Sequence, residues 1–338
     1  MRDRAGVGLA VAGFVLLIGV GVAFAVGRFP VSILDLGRVL WAKLTGSPSG
    51  LPPAVETVVW QIRGPRVAAA VLVGSALAVA GAAFQGLFRN PLVSPDILGA
   101  SSGAALGAVL GIYLSLGVFG IQTLAFGGGL LAVAAVYMIG SALRGGDTIL
   151  VLVLTGVVVG SLLGAGVGLV KYLADPYNQL HAMTFWLLGS LAGTSASDLL
   201  SLVGPVLLGT LVLLALRWRM NAMSLPEEEA RAVGVPTGPL RAAVVAAATL
   251  VTAASISAAG VIGWVGLVVP HLARFLVGPR LRPRLLPTAA VLGGGYLLLI
   301  DTLARTLASV EVPLGILTAV IGTPFFIGLL RQAHRSWS

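Results

Sequence analysis

Few residues of this chain carry groups that could take part in catalysis, proton transfer or metal binding. Three histidines and no cysteine occur among its 338 residues, which excludes thiolate metal sites and cysteine nucleophiles. His271 and Asp301 stand in or beside apolar runs, where an ionisable group serves either a proton relay or a structural ion pair. His181 and Tyr172 are of the types that ligate haem iron, although an isolated histidine beside a loop is more often structural. The sequence therefore predicts no catalytic residue and no metal site.

Energy for any active process would have to come from another subunit. The stretch GVGLVKY has a lysine but lacks the spacing and the following hydroxyl of a phosphate-binding loop. The HExxH pattern of zinc proteases does not occur either. We therefore expect this chain to bind no cofactor of its own and to have no ATPase site.

The elements that must position these groups are membrane helices. Hydrophobic residues make up 57% of the chain and charged residues 10%, and the mean hydropathy is +1.02. Apolar runs that can span a ~30 Å hydrocarbon core recur from end to end, and only helices satisfy their own peptide groups in lipid without closing a barrel. We predict an all-α polytopic membrane protein with ten spans, at residues 7–26, 63–88, 97–116, 121–143, 148–171, 199–217, 239–260, 261–277, 285–304 and 313–331.

The basic residues predict the orientation of these spans. The net charge is +9, and with the N-terminus inside, the inner segments hold 14 of the 21 basic residues while the outer segments hold 7. Positive charge collects on the cytoplasmic side, so both termini are expected in the cytoplasm. Because the arginines punctuate apolar runs, membrane lipid rather than nucleic acid is the expected partner.

We predict a single transmembrane domain over residues 1–338, with three segments that do not span. Residues 30–56 form an outer loop with a surface helix, and residues 172–198 form an outer re-entrant segment. Residues 218–238 form a polar cytoplasmic segment. A weak inverted repeat is also indicated, because AGAAFQGLFRNP and AGVIGWVGLVVP share Ala-Gly, nine residues and proline, in spans predicted to run in opposite directions.

Glycines spaced four residues apart mark one face of each of two predicted spans. Such a face lets a neighbouring backbone approach closely, so it indicates either helix packing alone or a flat wall along a moving pathway. The first span carries Gly99, Gly103, Gly107 and Gly111, and the second carries Gly156, Gly160, Gly164 and Gly168.

The cytoplasmic segment contains SLPEEEARAVGVP, with three consecutive glutamates in a chain of few charges. Ser224 and Glu227 have the spacing of a capping box, and Gly234 is placed to end a short helix. Glu228 and Glu229 would then lie near the positive end of that helix. One interpretation is a solvated surface helix. The other is a binding site for a soluble partner, held between two spans.

Several longer stretches resemble one known family. EEARAVG resembles the cytoplasmic loop of ABC importer permeases. The stretches IRGPRVAAAVLVGSALAVAGAAFQGLFRNPLVSPDILGASSGAALGA, GVIGWVGLVVPHLARFLVG, DTLAR and VPLGILTAVIGTPFFIGLLR resemble the permeases that import ferric siderophores, haem and cobalamin. The resemblance implies a homodimer of ten-helix subunits in a bacterial inner membrane. It also implies two cytoplasmic ABC ATPases that bind ATP and Mg²⁺, and a periplasmic or lipid-anchored binding protein.

The resemblance also implies roles for particular residues. Coupling to the ATPase would fall to Ser224, Glu227, Glu228, Glu229, Ala230 and Gly234. Docking of the binding protein would fall to Arg63, Arg66 and Arg305, whose planar guanidinium groups suit carboxylates. A cytoplasmic gate would be formed by Asn90, Leu92 and Thr148.

The function expected from these features is import by alternating access. The chain would be the permease subunit of a binding-protein-dependent ABC importer for an iron chelate, haem or a ferric siderophore, with cobalamin a weaker candidate. The alternative is an ion-coupled secondary transporter that relays protons through His271 and Asp301.

Overall fold

The structure is a computed structural model that describes residues 2–27, 29–143, 148–223, 225, 227–278 and 284–335. Within these ranges every regular element is a helix, and no strand is present. A π-helical turn, Val58–Arg63, joins α3 to α4, and a 3₁₀ turn, Pro95–Leu98, precedes α5. The helices are α1 (Arg2–Ala25), α2 (Ile33–Thr45), α3 (Pro53–Thr57), α4 (Gly64–Leu87), α5 (Ala100–Tyr113), α6 (Val118–Ala142), α7 (Thr148–Leu173), α8 (Gln179–Leu188), α9 (Ala196–Ala222), α10 (Glu227–Ala232), α11 (Thr237–Ala259), α12 (Val265–Val277), α13 (Leu285–Thr306) and α14 (Leu314–Arg335).

Each of the ten predicted membrane spans corresponds to one helix, namely α1, α4, α5, α6, α7, α9, α11, α12, α13 or α14. Over the described ranges, seven helical stretches are long and apolar enough to cross a membrane, and α5, α12 and the apolar part of α14 are three shorter ones. The all-α polytopic prediction is thus confirmed. The second span begins at Pro53 rather than at residue 63, because α3, the π turn and α4 run on without a break.

The core is built around α4, which is buried along most of its length and packs against α9, α11, α12 and α13. Glycine allows two of these approaches. A Cβ atom on Gly74 would lie 2.2 Å from the carbonyl oxygen of Gly293 in α13. A Cβ atom on Gly81 would lie 2.0 Å from the carbonyl oxygen of Gly266 in α12. The central helix is therefore held by backbone contact, which fixes where its ends present side chains.

The non-spanning segments lie against the ends of the bundle. Ser32 caps α2, which lies within the segment 30–56. Within 172–198 the chain forms α8 and then a turn at Gly189, whose carbonyl accepts a hydrogen bond from the Leu314 amide at 3.0 Å. The Ser190 amide donates a hydrogen bond to the Ala259 carbonyl at 2.9 Å. The start of α14 and the end of α11 therefore meet at this turn.

Candidate functional site

Five charged residues gather at the predicted outer end of α4 and α13, and we call them the outer cluster: Arg63, Arg66, Asp301, Arg305 and Glu311. Arg66 lies at its centre and is only 7% exposed. Its Nε is 2.9 and 3.1 Å from the two carboxylate oxygens of Asp301, and its Nη2 is 2.8 Å from Oδ1. Its Nη1 is 3.1 Å from Oε2 of Glu311, and Nη2 also contacts that carboxylate. One guanidinium group thus ties α4, α13 and the loop before α14 together.

The other two arginines bind the end of α1. Arg63, 4% exposed, donates to the carbonyls of Phe24 and Phe29. Arg305 donates through Nη2 to the Ala23 carbonyl at 3.2 Å, and its Nε lies 3.3 Å from Oδ2 of Asp301. The last carbonyls of a helix lack partners within the helix and carry partial negative charge, so both cations stabilise this terminus.

The three arginines predicted to dock a binding protein are therefore brought together, but they are turned inward. Their role in docking stays a prediction, and a carboxylate from outside would have to compete with Glu311, whose side chain is partly exposed. The cluster holds three arginines and two acids, so one positive charge is uncompensated within it. Sequence reasoning missed Glu311, although EVP directly before a predicted span placed an acid at the level of these arginines.

The residues considered for proton relay or iron binding lie apart. Asp301 is fully buried and engaged by Arg66 and Arg305, whereas Nδ1 of His271 is 2.9 Å from the Leu267 carbonyl of its own helix. His181 and Tyr172 are exposed. In the described part of the chain no three histidine, aspartate or glutamate residues are grouped as a metal site would require. The contacts of Asp301 are those of a structural ion pair.

Asp175 organises the turn between α7 and α8. Its carboxylate accepts hydrogen bonds from the Tyr177 amide at 3.3 Å, the Asn178 amide at 3.1 Å and Nδ2 of Asn178 at 2.9 Å. These donors stabilise the charged form and hold the pKa of Asp175 below its ordinary value. The ionised side chain of Asp175 therefore stabilises the turn that starts α8.

At the opposite end of the bundle, α10 presents an acidic surface. Glu228 and Glu229 are exposed, whereas Ala230 is buried. The helix ends at Gly234, which has φ +82°, a value that favours glycine. The Gly234 amide donates to the Arg231 carbonyl at 2.9 Å and the Val235 amide to the Ala230 carbonyl at 3.0 Å, the two bonds of a Schellman motif. The ending predicted at Gly234 is thus present in the structure.

Part of the predicted coupling segment cannot be placed. Ser224 lies outside the described residues, and of Glu227 only the backbone is described, so the expected capping box has no structural account. Arg231, in contrast, donates from Nε to the hydroxyl of buried Thr237 at 3.2 Å. This bond ties α10 to the first residue of α11, so the two helices are expected to move together.

The predicted gate residues lie on the loop after α4. The side-chain oxygen of Asn90 accepts the Leu92 amide at 2.9 Å, which closes a tight turn with both residues exposed. Arg89, next to this turn, donates to the carbonyl of Leu225 at 3.3 Å. The structure thus links this loop to the segment before α10. Only the backbone of Thr148 is described, at the start of α7, and gating by these three residues stays a prediction.

The two glycine faces have different surroundings. On α5, Cβ atoms at Gly103 and Gly107 would lie 2.3 and 2.0 Å from carbonyl oxygens of α6, and Gly111 packs on Ile121. Gly99 instead has φ +80° and precedes α5. On α7, Gly156 meets the Ile97 carbonyl, Gly160 has only Ser102 nearby, and nothing lies near the two remaining glycines, Gly164 and Gly168. The first face is therefore filled by α6, and most of the second is open.

The ten apolar helices lie in a region of the chain that matches a known family. A model described as the FecCD transport family matches residues 8–332. The chain belongs to the FecCD transport family. The match begins within α1 and ends within α14.

Curated FecCD relatives cover nearly the whole chain. The chain is 40% identical over 322 residues to the molybdate import system permease protein MolB of Haemophilus influenzae, covering 95% of this chain and 94% of MolB. It is 41% identical over 324 residues to the cobalamin import system permease protein BtuC of Halobacterium salinarum, covering 94% and 86%. It is 38% identical over 333 residues to the hemin transport system permease protein HmuU of Yersinia pestis, covering 96% of each.

A solved structure that is similar to this chain confirms the fold. It is described as an inward-facing conformation of an ABC transporter of proposed metal-chelate type, with a TM-score of 0.86 and 36% identity. The match covers 96% of this chain and 98% of that one. The protein is thus a multi-pass membrane permease of the ABC importer class.

Proposed function

We propose that this FecCD protein is the permease subunit of a binding-protein-dependent importer that carries an iron chelate, haem or a ferric siderophore, into the cytoplasm. Hydrolysis of ATP in a partner ATPase would drive alternating access, with the cytoplasm on the arginine-rich side. The observation that carries the proposal is α10, a short acidic helix held between two membrane helices. An exposed acidic helix in this position can bind a soluble partner and transmit the partner's movement to the membrane helices.

The contacts of α10 support this role. Buried Ala230 and the Schellman ending anchor one side, while exposed Glu228 and Glu229 remain on the other. The Arg231–Thr237 bond would pass a displacement of α10 to α11, and the Arg89–Leu225 bond would pass it to the loop that carries Asn90. A push on α10 could therefore reach both a membrane helix and the proposed gate.

We infer that two copies of the chain enclose the pathway. The outward face of α7 is apolar and unusually exposed, with Leu154, Val158 and Leu162 more than half accessible. Gly164 and Gly168 add open backbone to it. A second copy that packs near this face would cover part of it, and the remainder would line a pathway without charged groups. Such a wall suits a bulky, partly apolar chelate better than a bare oxyanion, which would need polar groups in place of its water.

At the outer end, the cluster around Arg66 would receive the binding protein. Its one uncompensated positive charge favours an incoming carboxylate, and rim contacts of this kind mainly set docking register and association rate. Docking is then expected to weaken as salt increases.

The proposal is tested by ATP hydrolysis in proteoliposomes that contain this chain, its ABC ATPase and its binding protein. The binding protein is supplied empty or loaded with haem, a ferric siderophore, cobalamin or molybdate. Stimulation by one iron chelate supports the proposal. Stimulation by cobalamin or molybdate alone would contradict the proposed substrate but leave the assignment to the ABC importer class unchanged.

Variants separate coupling from folding. Glu228→Ala with Glu229→Ala is expected to leave the basal ATPase rate intact and to reduce its stimulation and the transport per ATP. Glu56→Ala, which removes an exposed acid at the outer end, is the matched control. Unchanged transport per ATP in the double variant would contradict the role of α10.

A further inference from the structure

Helix α2 has an apolar surface that no described part of the chain covers. The large apolar side chains on this surface are 43% to 83% exposed, and they are Ile33, Leu34, Leu40, Trp41 and Leu44. At about 3.6 residues per turn, these positions fall within an arc of about 120° on one side of the helix. We call this arc the apolar sector of α2. A contiguous apolar surface of this kind indicates contact with a partner outside the chain or with lipid.

The other two sides of α2 face the protein and water. Leu36 and Val39 are buried, and they pack in a cluster with Val59 of the π turn. Asp35 and Arg38 lie on the remaining side, where Nη1 of the arginine is 3.8 Å from Oδ1 of the aspartate. When the buried side is turned toward the bundle, the apolar sector and the charged side point in opposite directions. One of them can therefore face lipid while the other faces water.

Contacts of the outer cluster fix the level of α2 in the membrane. Arg63 donates to the carbonyl of Phe24, in the last turn of α1, so Arg63 lies where the first span ends. Val59 precedes Arg63 by four residues in one continuous helical stretch, which places it about 6 Å farther from the membrane centre. The headgroup layer extends about 5–8 Å beyond the ~30 Å hydrocarbon core. Because α2 packs on Val59, it lies at the headgroup level.

The axis of α2 crosses this helical stretch instead of running along it. Leu36, in the first turn of α2, belongs to the cluster with Val59. Lys43, two turns later, has its Nζ 5.9 Å from the ring centroid of Trp60. Leu36 and Lys43 are about 10 Å apart along α2, whereas Val59 and Trp60 are adjacent residues. The axis of α2 is therefore closer to the membrane plane than to the membrane normal.

We propose that α2 is an in-plane membrane helix whose apolar sector binds the lipid leaflet on the side of the outer cluster. Its five apolar side chains would enter the boundary between headgroups and acyl chains, where an exposed aromatic residue such as Trp41 is typical. Asp35 and Arg38 would remain in water. The opposite orientation would expose the apolar sector to water and turn the ion pair toward hydrocarbon, which is unfavourable for both.

Lipid fits this surface better than a protein does. A soluble protein would approach α2 from the water side, where Asp35 and Arg38 lie instead of the apolar sector. The proposed contact with a second copy lies near α7, whereas α2 packs on α1 and the π turn. Because Leu36 and Val39 join α2 to the turn that ends at Arg63, a lipid-bound α2 would also hold the outer cluster at the headgroup level.

The experiment uses the absence of cysteine from this chain, which allows a nitroxide to be attached at one introduced cysteine. The full chain is reconstituted in nanodiscs of phosphatidylcholine and phosphatidylglycerol. Electron paramagnetic resonance then measures how accessible each nitroxide is to oxygen, which concentrates in lipid, and to a water-soluble nickel chelate. Ile33→Cys, Leu40→Cys and Leu44→Cys report on the apolar sector, and exposed Arg38→Cys and Ser47→Cys are the references. We expect an oxygen-to-nickel ratio at least about 3-fold higher at the three apolar sites than at the references.

Other occupants of the apolar sector would give different results. Low accessibility to both oxygen and nickel at the three apolar sites would assign the sector to a contact with a second copy. High accessibility to nickel at these sites would place the sector in water, open to a soluble partner. Either result would overturn the proposal, and so would an equal ratio at all five sites.

A charge introduced into the apolar sector tests whether lipid holds the helix in place. Trp41→Glu should lower the ratio for a nitroxide at Leu44 at least about 3-fold, because a carboxylate resists entry into the membrane. Thr45→Glu, which is exposed, adjacent to the label and outside the sector, is the matched control and should leave the ratio unchanged. Both positions are exposed, so neither change disturbs the core. The same ratio in Trp41→Glu as in the chain without it would contradict the proposal.

Discussion

The outer cluster makes a quantitative prediction for the variant Arg66→Met. This change removes the guanidinium group and keeps an apolar side chain of similar length. Asp301 is 0% exposed and would keep only Arg305, at 3.3 Å, while Glu311 would lose the arginine it contacts. Breaking a buried ion pair from one side costs roughly 3–5 kcal/mol, because the remaining charge stays buried without its partner.

We expect the midpoint of thermal unfolding to fall by about 6–10 °C, at roughly 2 °C per kcal/mol for a chain of this size. The assay is tryptophan emission during heating of the purified protein in detergent. Arg66→Lys should lie between the wild type and Arg66→Met, since an ammonium group cannot contact both carboxylates in the planar geometry of a guanidinium. Arg38→Met is the control, because its side chain is 64% exposed and lies 3.8 Å from Asp35, a pair worth less than about 1 kcal/mol.

The double variant Arg66→Met with Asp301→Leu decides the interpretation. If the loss in the single variant comes from a stranded carboxylate, removal of that carboxylate should restore about half of it or more. A midpoint for Arg66→Met within about 1 °C of the wild type would refute the ion-pair reasoning. So would a double variant as unstable as the single one.

Two further predictions concern packing and pH. Gly107→Ala should destabilise the chain by about 1–3 kcal/mol in the same heating assay, because its Cβ would lie 2.0 Å from the Leu124 carbonyl and α5 would have to move away from α6. Gly127→Ala, with nothing within 4 Å, should be neutral or stabilising, and equal effects of the two changes would contradict this account. Because hydrogen bonds lower the pKa of Asp175, its contribution to stability should be present above its ordinary pKa and lost as pH falls through the lowered value. Asp175→Asn should therefore remove a pH dependence of the unfolding midpoint in that acidic range, and an identical profile for both proteins would count against it.

The helices could be predicted from the sequence because lipid leaves the chain few options. A run such as residues 7–26 has to be helical in a membrane, and its ends follow from where polar residues resume. The surface helix at Ile33–Thr45 was also predictable, since Ser32 and Asp35 have the spacing of a cap. Residue types and short spacings suffice for features of this kind.

The partners within the outer cluster could not be predicted in the same way. Arg66 and Asp301 are 235 positions apart, and no local pattern in either segment indicates that the two residues pair. The sequence indicated that Asp301 needed a partner, but only the packing of α4 on α13 supplies it. The start of the second span at Pro53 was also missed, because PAVETVVWQIR mixes polar and apolar residues and the π turn at Val58–Arg63 leaves no signal in the sequence.

The length of α5 has a consequence for how the chain enters the membrane during synthesis. Its 14 residues rise only about 21 Å, which is well short of the ~30 Å that an isolated helix must cross. Such a segment gains too little from partitioning alone to be stable as a separate insertion step. α6 follows after a turn of four residues, Leu114–Gly117, and its backbone contacts Gly103 and Gly107 directly. The two helices therefore have to be released from the insertion machinery together, as a hairpin. In that hairpin α6 already covers the glycine face of α5, which would otherwise be exposed to lipid.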